Sequence, residues 1–133
     1  LHCGDIVWAG LIPLFAAWPT HFVFGNCDSE TSSMRLAMTD AGQHCHGRFG
    51  EIEIDGRRIA ILHGDDAQRV REATECGAYD LVCYGHTHVP EQHRVGRTVV
   101  LNPGALYRAN PHTFAIVDLR TMQVTHVPVH SHD

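Results

Sequence analysis

Asp80-Leu81-Val82-Cys83-Tyr84-Gly85-His86-Thr87-His88 passes from a fully apolar strand core to a glycine and then to two histidines at i, i+2. Two imidazoles in a glycine-flanked loop have little packing purpose, so the end of this strand is a place for chemistry. Upstream, Asp65 or Asp66 can cap a helix running through Cys76 and ended by Gly77. Before that, Phe49 to Ile54 alternates, Asp55-Gly56 is a strong turn dipeptide, and Arg58 to Leu62 resumes, which predicts a hairpin. Downstream, Val95-Gly96-Arg97 turns into a strand at Thr98 to Leu101. Phe114 to Leu119 and Met122 to Val129 predict two more, the last an edge strand because of Pro128.

The N-terminal part has the same grammar. His21 to Phe24 is strand-like and stops at Gly25; Asp28 or Ser29 can cap a helix with Met34, Ala37, Met38 and Ala41 on one face. The apolar run Ile6 to Trp18 predicts a buried helix, with Pro13 in its first turn or at a kink. No internal repeat, low-complexity tract or linker interrupts the order. Strands interleaved with helices and followed by hairpins predict an α/β domain with a mixed sheet or a two-sheet sandwich. Residues 1–133 are expected to form a single domain. The sequence starts at Leu1, and Leu-His-Cys-Gly reads as the tail of an element already under way, so a fragment lacking its opening is expected.

Composition narrows the functions. The 133 residues are 44% hydrophobic and 19% charged, enough apolar content for a packed core. All ten fixed cations are arginine, the formal net charge is −5, and there are 12 histidines. A lysine-free acidic chain lacks the basic stripe of a nucleic-acid groove or an anionic membrane surface. The excess of histidine over arginine points to metal ligation or acid–base work instead. Five cysteines, none in C-x-x-C spacing, argue against a disulfide framework and against a structural zinc ribbon. The 13-residue run Ile6 to Trp18 is shorter than the about 20 residues of a membrane span and lacks the basic flank of a signal peptide. A cytoplasmic protein without a membrane partner is the expectation.

The polar residues gather at strand ends. Gly4-Asp5, Gly25-Asn26-Cys27-Asp28, His63-Gly64-Asp65 and Gly85-His86-Thr87-His88 each follow a predicted strand. In open α/β sheets, ligands bind outside the carboxyl ends of strands. One Asp, one Asn and three His make an oxygen and nitrogen ligand set suited to Mn, Fe, Zn or Ni. Five convergent ligands with one carboxylate suggest two ions bridged by it, about 3.5–4 Å apart.

These four ordered blocks resemble the calcineurin-like metallophosphoesterases. Gly25-Asn26-Cys27-Asp28, with Asn102-Pro103-Gly104-Ala105, is similar to the small bacterial and archaeal phosphodiesterase branch of that superfamily. The likeness covers nearly the whole chain in the right order. It implies a two-sheet αββα sandwich and hydrolysis of a small phosphodiester by metal-bound hydroxide, with Asp5, Asn26 and His86 as the catalytic group. Asp5 would bridge two divalent ions, manganese before nickel, zinc or iron. Asn26, His63 and His86 would complete one site, and His88 would belong to the other. Asn26 would also contact substrate, and Arg108 could hold a phosphate through its fork of donors. Where many members have a histidine after that asparagine, Cys27 stands here, which leaves the general acid open. The superfamily opens with an Asp-x-His motif, and no Asp of this sequence has a His two positions later. A missing βαβ opening of roughly 30 residues would account for that.

Blander roles stand beside these. Asp5 could cap a helix, His63 and Asn26 could bond strand-end backbone, and Arg108 could be a solvated surface residue. Cys27 reads as a packing residue beside the site rather than a nucleophile. Trp8, Phe15 and Trp18 read as core or subunit interface. Of two further His-x-His pairs, His130/His132 reads as a polar chain end, and His44/His46, which precedes a strand, could bind a stray soft metal but has the blander reading as its expectation. The alternative function is an inactive scaffold of the same fold that binds proteins, as the similar retromer subunit does; a histidine-rich metal-storage module comes third. A homo-oligomer is left open, and a stable nucleic-acid complex is not expected.

Overall fold

The computed structural model describes residues 1–130. Strands β1 (His21–Phe22) and β2 (His44–Cys45) pair in parallel, with His2 adding one bridge beside Phe22. Strands β3 (Phe49–Ile54), β4 (Arg57–Leu62), β5 (Leu81–Cys83), β6 (Glu91–Val95) and β7 (Thr98–Asn102) form a five-stranded sheet in the order β3-β4-β5-β7-β6. Its three inner strands run parallel, and the two edge strands are antiparallel hairpin partners. Strands β8 (His112–Asp118) and β9 (Gln123–Val129) make a separate antiparallel pair.

The inner strands are apolar along residues 59–62, 81–83 and 99–101 because both faces are covered there. Side chains alternate along a strand, so Ile59, Leu81, Cys83, Val99 and Leu101 point one way and pack on Met122 and Val124 of the β8–β9 pair. Ala60, Leu62 and Val82 point the other way, onto Ala73 of helix α2 (Ala67–Glu75) and Tyr79. The expected second leaf is thus the β8–β9 pair. An apolar cavity of about 230 Å³ remains between the leaves, lined by Cys3, Ile59, Leu81, Cys83, Leu101 and Val117 among others. A third cluster joins Met34 and Met38 of helix α1 (Thr31–Asp40) to Ile6, Ile12, Phe22 and Phe24.

Several expected boundaries match. The β3–β4 hairpin turns at Asp55-Gly56, Asp66 caps α2 by accepting from the Arg69 N–H, and Gly77 follows the helix with φ +73°. Two expectations are corrected. The Ile6 to Trp18 run is not a buried helix: only Ala9–Phe15 coils, as a 3₁₀ segment, and Trp8, Leu14 and Trp18 stay more than 60% exposed. Pro13 lies inside that segment, and the short 3₁₀ turn suits a proline that lacks a donor. Asp28 does not cap α1 either; Glu30 occupies the N-cap position and makes no side-chain cap bond. Among the described residues, no helix is long and apolar enough to cross a membrane. His132 lies outside the described residues.

Candidate active site

The parallel strands β4, β5 and β7 all end at one edge, where His63 follows β4, His86 follows β5 and Asn102 closes β7. Asn26 and Asp5 come from the neighbouring turns. Two glycines allow the approach. A Cβ at Gly4 would stand 2.8 Å from Nδ1 of His63, and one at Gly25 would run into the Asp5 carboxylate.

His63 is buried at the centre of the group. Its Nδ1 lies 2.7 Å from the Cys3 carbonyl oxygen. A carbonyl only accepts, so Nδ1 carries the proton and Nε2 presents its lone pair. Around Nε2 stand Asn26 Oδ1 at 2.9 Å, Asp5 Oδ2 at 3.2 Å and His86 Nδ1 at 3.2 Å. Electron-rich atoms crowded this way repel one another unless a cation, a proton or a metal ion, sits among them. Two neighbouring ligands about 2.1 Å from an octahedral ion lie about 3 Å apart, which is the spacing found here. Among the described residues, no three His, Cys, Asp or Glu side chains enclose an ion on their own; the Asn26 amide is an integral member of this set. The residues present fit one divalent ion.

The backbone beneath them is strained. Asp5 (φ 56°), His86 (φ 69°), His88 (φ 62°) and Arg108 (φ 50°) account for four of the seven non-glycine residues with positive φ among those described. Such conformations cost about 1–3 kcal/mol each and survive only where the surroundings impose them. Asp and His tolerate them better than most residues do. That concentration marks this edge, rather than any other part of the fold, as the place where geometry outranks stability.

Three residues of no assigned chemistry hold the loops. Asp28, buried, accepts from the Gly25 N–H through Oδ2 and from the Val7 N–H through Oδ1, both at 2.7 Å. Asn102, fully buried, donates through Nδ2 to the Gly85 carbonyl and to the Thr87 hydroxyl, and accepts from the Gly104 N–H. His2, whose burial holds it down to about 4, accepts from the Gly4 N–H through a neutral ring. Asp28 was expected to cap a helix, and for Asn102 only the Asn-Pro-Gly-Ala block was visible.

Of the expected site residues, Asp5, Asn26, His63 and His86 meet. His88 does not touch them: its Nδ1 lies 3.3 Å from the Arg108 carbonyl. The exposed Arg108 sets its guanidinium 5.2 Å over the Tyr107 ring, and its charge reaches the Cys27 thiol. Cys27 is exposed rather than packed, and its N–H donates to Asp5 Oδ1 at 2.9 Å. The Asp5 carboxylate raises that thiol above its ordinary value.

The calcineurin-like phosphoesterase superfamily domain matches residues 1–122. The chain belongs to that superfamily. Within this superfamily it is 32% identical over 107 residues to the phosphodiesterase MJ0936 of Methanocaldococcus jannaschii, and 26% identical over 105 residues to the phosphodiesterase YfcE of Escherichia coli K12. These matches take in 78% and 77% of this chain, but 64% and 54% of the two relatives. Among solved structures, an archaeal phosphodiesterase superposes with a TM-score of 0.88 at 28% identity, covering 96% of this chain and 81% of that one. Vacuolar Protein Sorting 29 of Cryptosporidium parvum shares the phosphoesterase fold at a TM-score of 0.64 and 18% identity, covering 94% of this chain and 77% of its own.

Proposed function

We propose that the chain carries the catalytic edge of a phosphodiesterase that works with two divalent metal ions on a small phosphodiester. The observation that supports this most directly is the convergence of Asp5, Asn26 and His86 on Nε2 of a His63 whose tautomer the Cys3 carbonyl imposes. Asp5, Asn26, His63 and His86 would hold one ion, manganese before nickel, zinc or iron. Asp5 and His88 would serve a second. Bound divalent ions supply Lewis acidity and bring the pKa of a bound water down to about 7.

The chain's own residues do the rest. Asn26 contributes a neutral amide, which limits the negative charge the site must balance. Its exposed position also lets it reach a phosphate oxygen. Arg108 offers a planar fork of donors to the same phosphate. Its backbone is held over His88, so the guanidinium starts from a loop that is already fixed.

A protein-binding scaffold is the second reading, and the fold it shares with Vacuolar Protein Sorting 29 favours it. A scaffold, however, has no use for strained backbone at Asp5, His86 and His88 or for opposed lone pairs at His63. Hydrolysis of a bis-aryl phosphate with manganese decides between them. Asp5→Asn and His86→Ala are expected to lower the rate by more than about 100-fold, since even residues outside a metal's direct shell cost 10–100-fold. Circular dichroism should stay unchanged, and activity within twofold of the parent would overturn the assignment. A chain that retains no divalent ion after metal loading and gel filtration, and hydrolyses nothing, would support the scaffold.

A further inference from the structure

A second histidine cluster lies outside the candidate active site. The parallel pairing of β1 with β2 sets His21 opposite His44, and the His46 N–H donates to the Phe22 carbonyl at 3.0 Å. His44 and His46, two residues apart on an extended segment, therefore share a face. The His21 ring stacks on His44 with centroids 4.4 Å apart and on His46 at 5.1 Å. Nδ1 of His21 lies 2.8 Å from Nε2 of His46. β3 makes room for this: a Cβ at Gly50 would stand 2.8 Å from Cγ of His46, so the missing side chain is the space the ring fills. Among the described residues, none of the three histidines pairs with a carboxylate.

We infer that His21, His44 and His46 form a nitrogen-only site for a borderline divalent ion such as copper(II), nickel(II) or zinc, separate from the centre at Asp5. Two imidazole nitrogens bound about 2.0–2.1 Å from one ion stand about 3 Å apart, close to the distance between His21 and His46. His44 is exposed and completes the set by swinging its ring out of the stack, since no three ligating side chains enclose an ion as they stand. Nitrogen donors without oxygen select these ions over magnesium, calcium and manganese. Burial and the neighbouring rings hold both His21 and His46 below their ordinary values, so lone pairs are available at neutral pH. Binding moves the one proton shared between Nδ1 of His21 and Nε2 of His46, through solvent, to the other nitrogen of the ring that carried it, so both rings stay neutral. The bound ion would fasten β1, the strand that leads to Asn26, to β2.

Copper(II) added alone at substoichiometric amounts, followed by proton NMR of the histidine rings, tests this site by site. The resonances of His21, His44 and His46 should broaden, and His46→Gln should weaken copper or nickel binding to this cluster at least tenfold. In the same protein the His63 and His86 signals should still respond to added manganese. Should His46→Gln fail to fold by circular dichroism, His44→Gln carries the measurement, because its ring is exposed. Unchanged affinity and stoichiometry in the folded variant, or broadening confined to His63, His86 and the chain end, overturns the site.

Discussion

Nδ2 of Asn102 donates to the Thr87 hydroxyl at 3.0 Å, and so ties the end of β7 to the loop that carries His86 and His88. The same nitrogen reaches the Gly85 carbonyl, and Oδ1 takes the Gly104 N–H, so one buried amide holds three partners. Asn102→Ala would leave the buried Gly85 carbonyl without this donor and release the Thr87 hydroxyl and the Gly104 N–H. Chemical denaturation should show a loss of about 3 kcal/mol, given about 1–3 kcal/mol per orphaned group with some relaxation. Metal affinity should fall about 10–100-fold, as it does when residues supporting a ligand are removed.

The Cys3 carbonyl dictates the tautomer of His63, and that can be seen directly. Nitrogen-15 NMR of the metal-free chain should find Nδ1 protonated, and a divalent ion should move the Nε2 resonance while the Nδ1 proton stays. A His63 protonated at Nε2 alone would contradict the geometry.

Cys27→Ser should be mild. The contact that matters comes from the backbone, whose N–H donates to Asp5, and the Asp5 carboxylate keeps the exposed thiol protonated at neutral pH. A general acid is worth about 10²–10⁴-fold. A loss below about tenfold in the rate of bis-aryl phosphate hydrolysis would show that Cys27 is not that acid.

Acid should loosen the β1–β2 region. Burial first, then His44, His46 and the terminal ammonium, hold His21 down to about 4 against an ordinary 6.5. The folded chain therefore binds fewer protons than the unfolded chain between these values. The contribution of His21 to stability is complete above pH 6.5, declines as pH falls towards 4, and levels off below. After allowance for solvent screening, His21 contributes of order 1–2 kcal/mol to that decline. Urea melts at pH 5 and pH 7 should converge in His21→Gln relative to the parent; an equal pH dependence in both would refute the role.

Local chemistry was legible wherever it decided the outcome. Asp55-Gly56 located the hairpin, Asp66 its helix cap and Gly77 its stop, because each acts within a few residues. The four glycine-flanked blocks announced Asp5, Asn26, His63 and His86 in the same way. Long-range partners stayed hidden. Asp28 looks like a cap until its second oxygen is found on Val7, 21 residues away, and His44/His46 offer at most a stray soft-metal pair until β1 brings His21 beside them. The Ile6 to Trp18 run misled for a related reason. Its apolar content promised burial, but Ile12 alone is buried inside the 3₁₀ turn while Trp8 and Trp18 face outward.

Val7 bears on how such a protein could be improved. It is β-branched, 62% exposed and held at φ 69° by the bond from its N–H to Asp28. A branched residue in that conformation is a true outlier. Any search that rewards heat resistance alone would replace it early with glycine and gain stability, since natural proteins leave such gains unclaimed. Glycine would also loosen the backbone two residues after Asp5. Thermal robustness and a rigid carboxylate thus compete for the same position, and variants selected for the first would be expected to surrender the second.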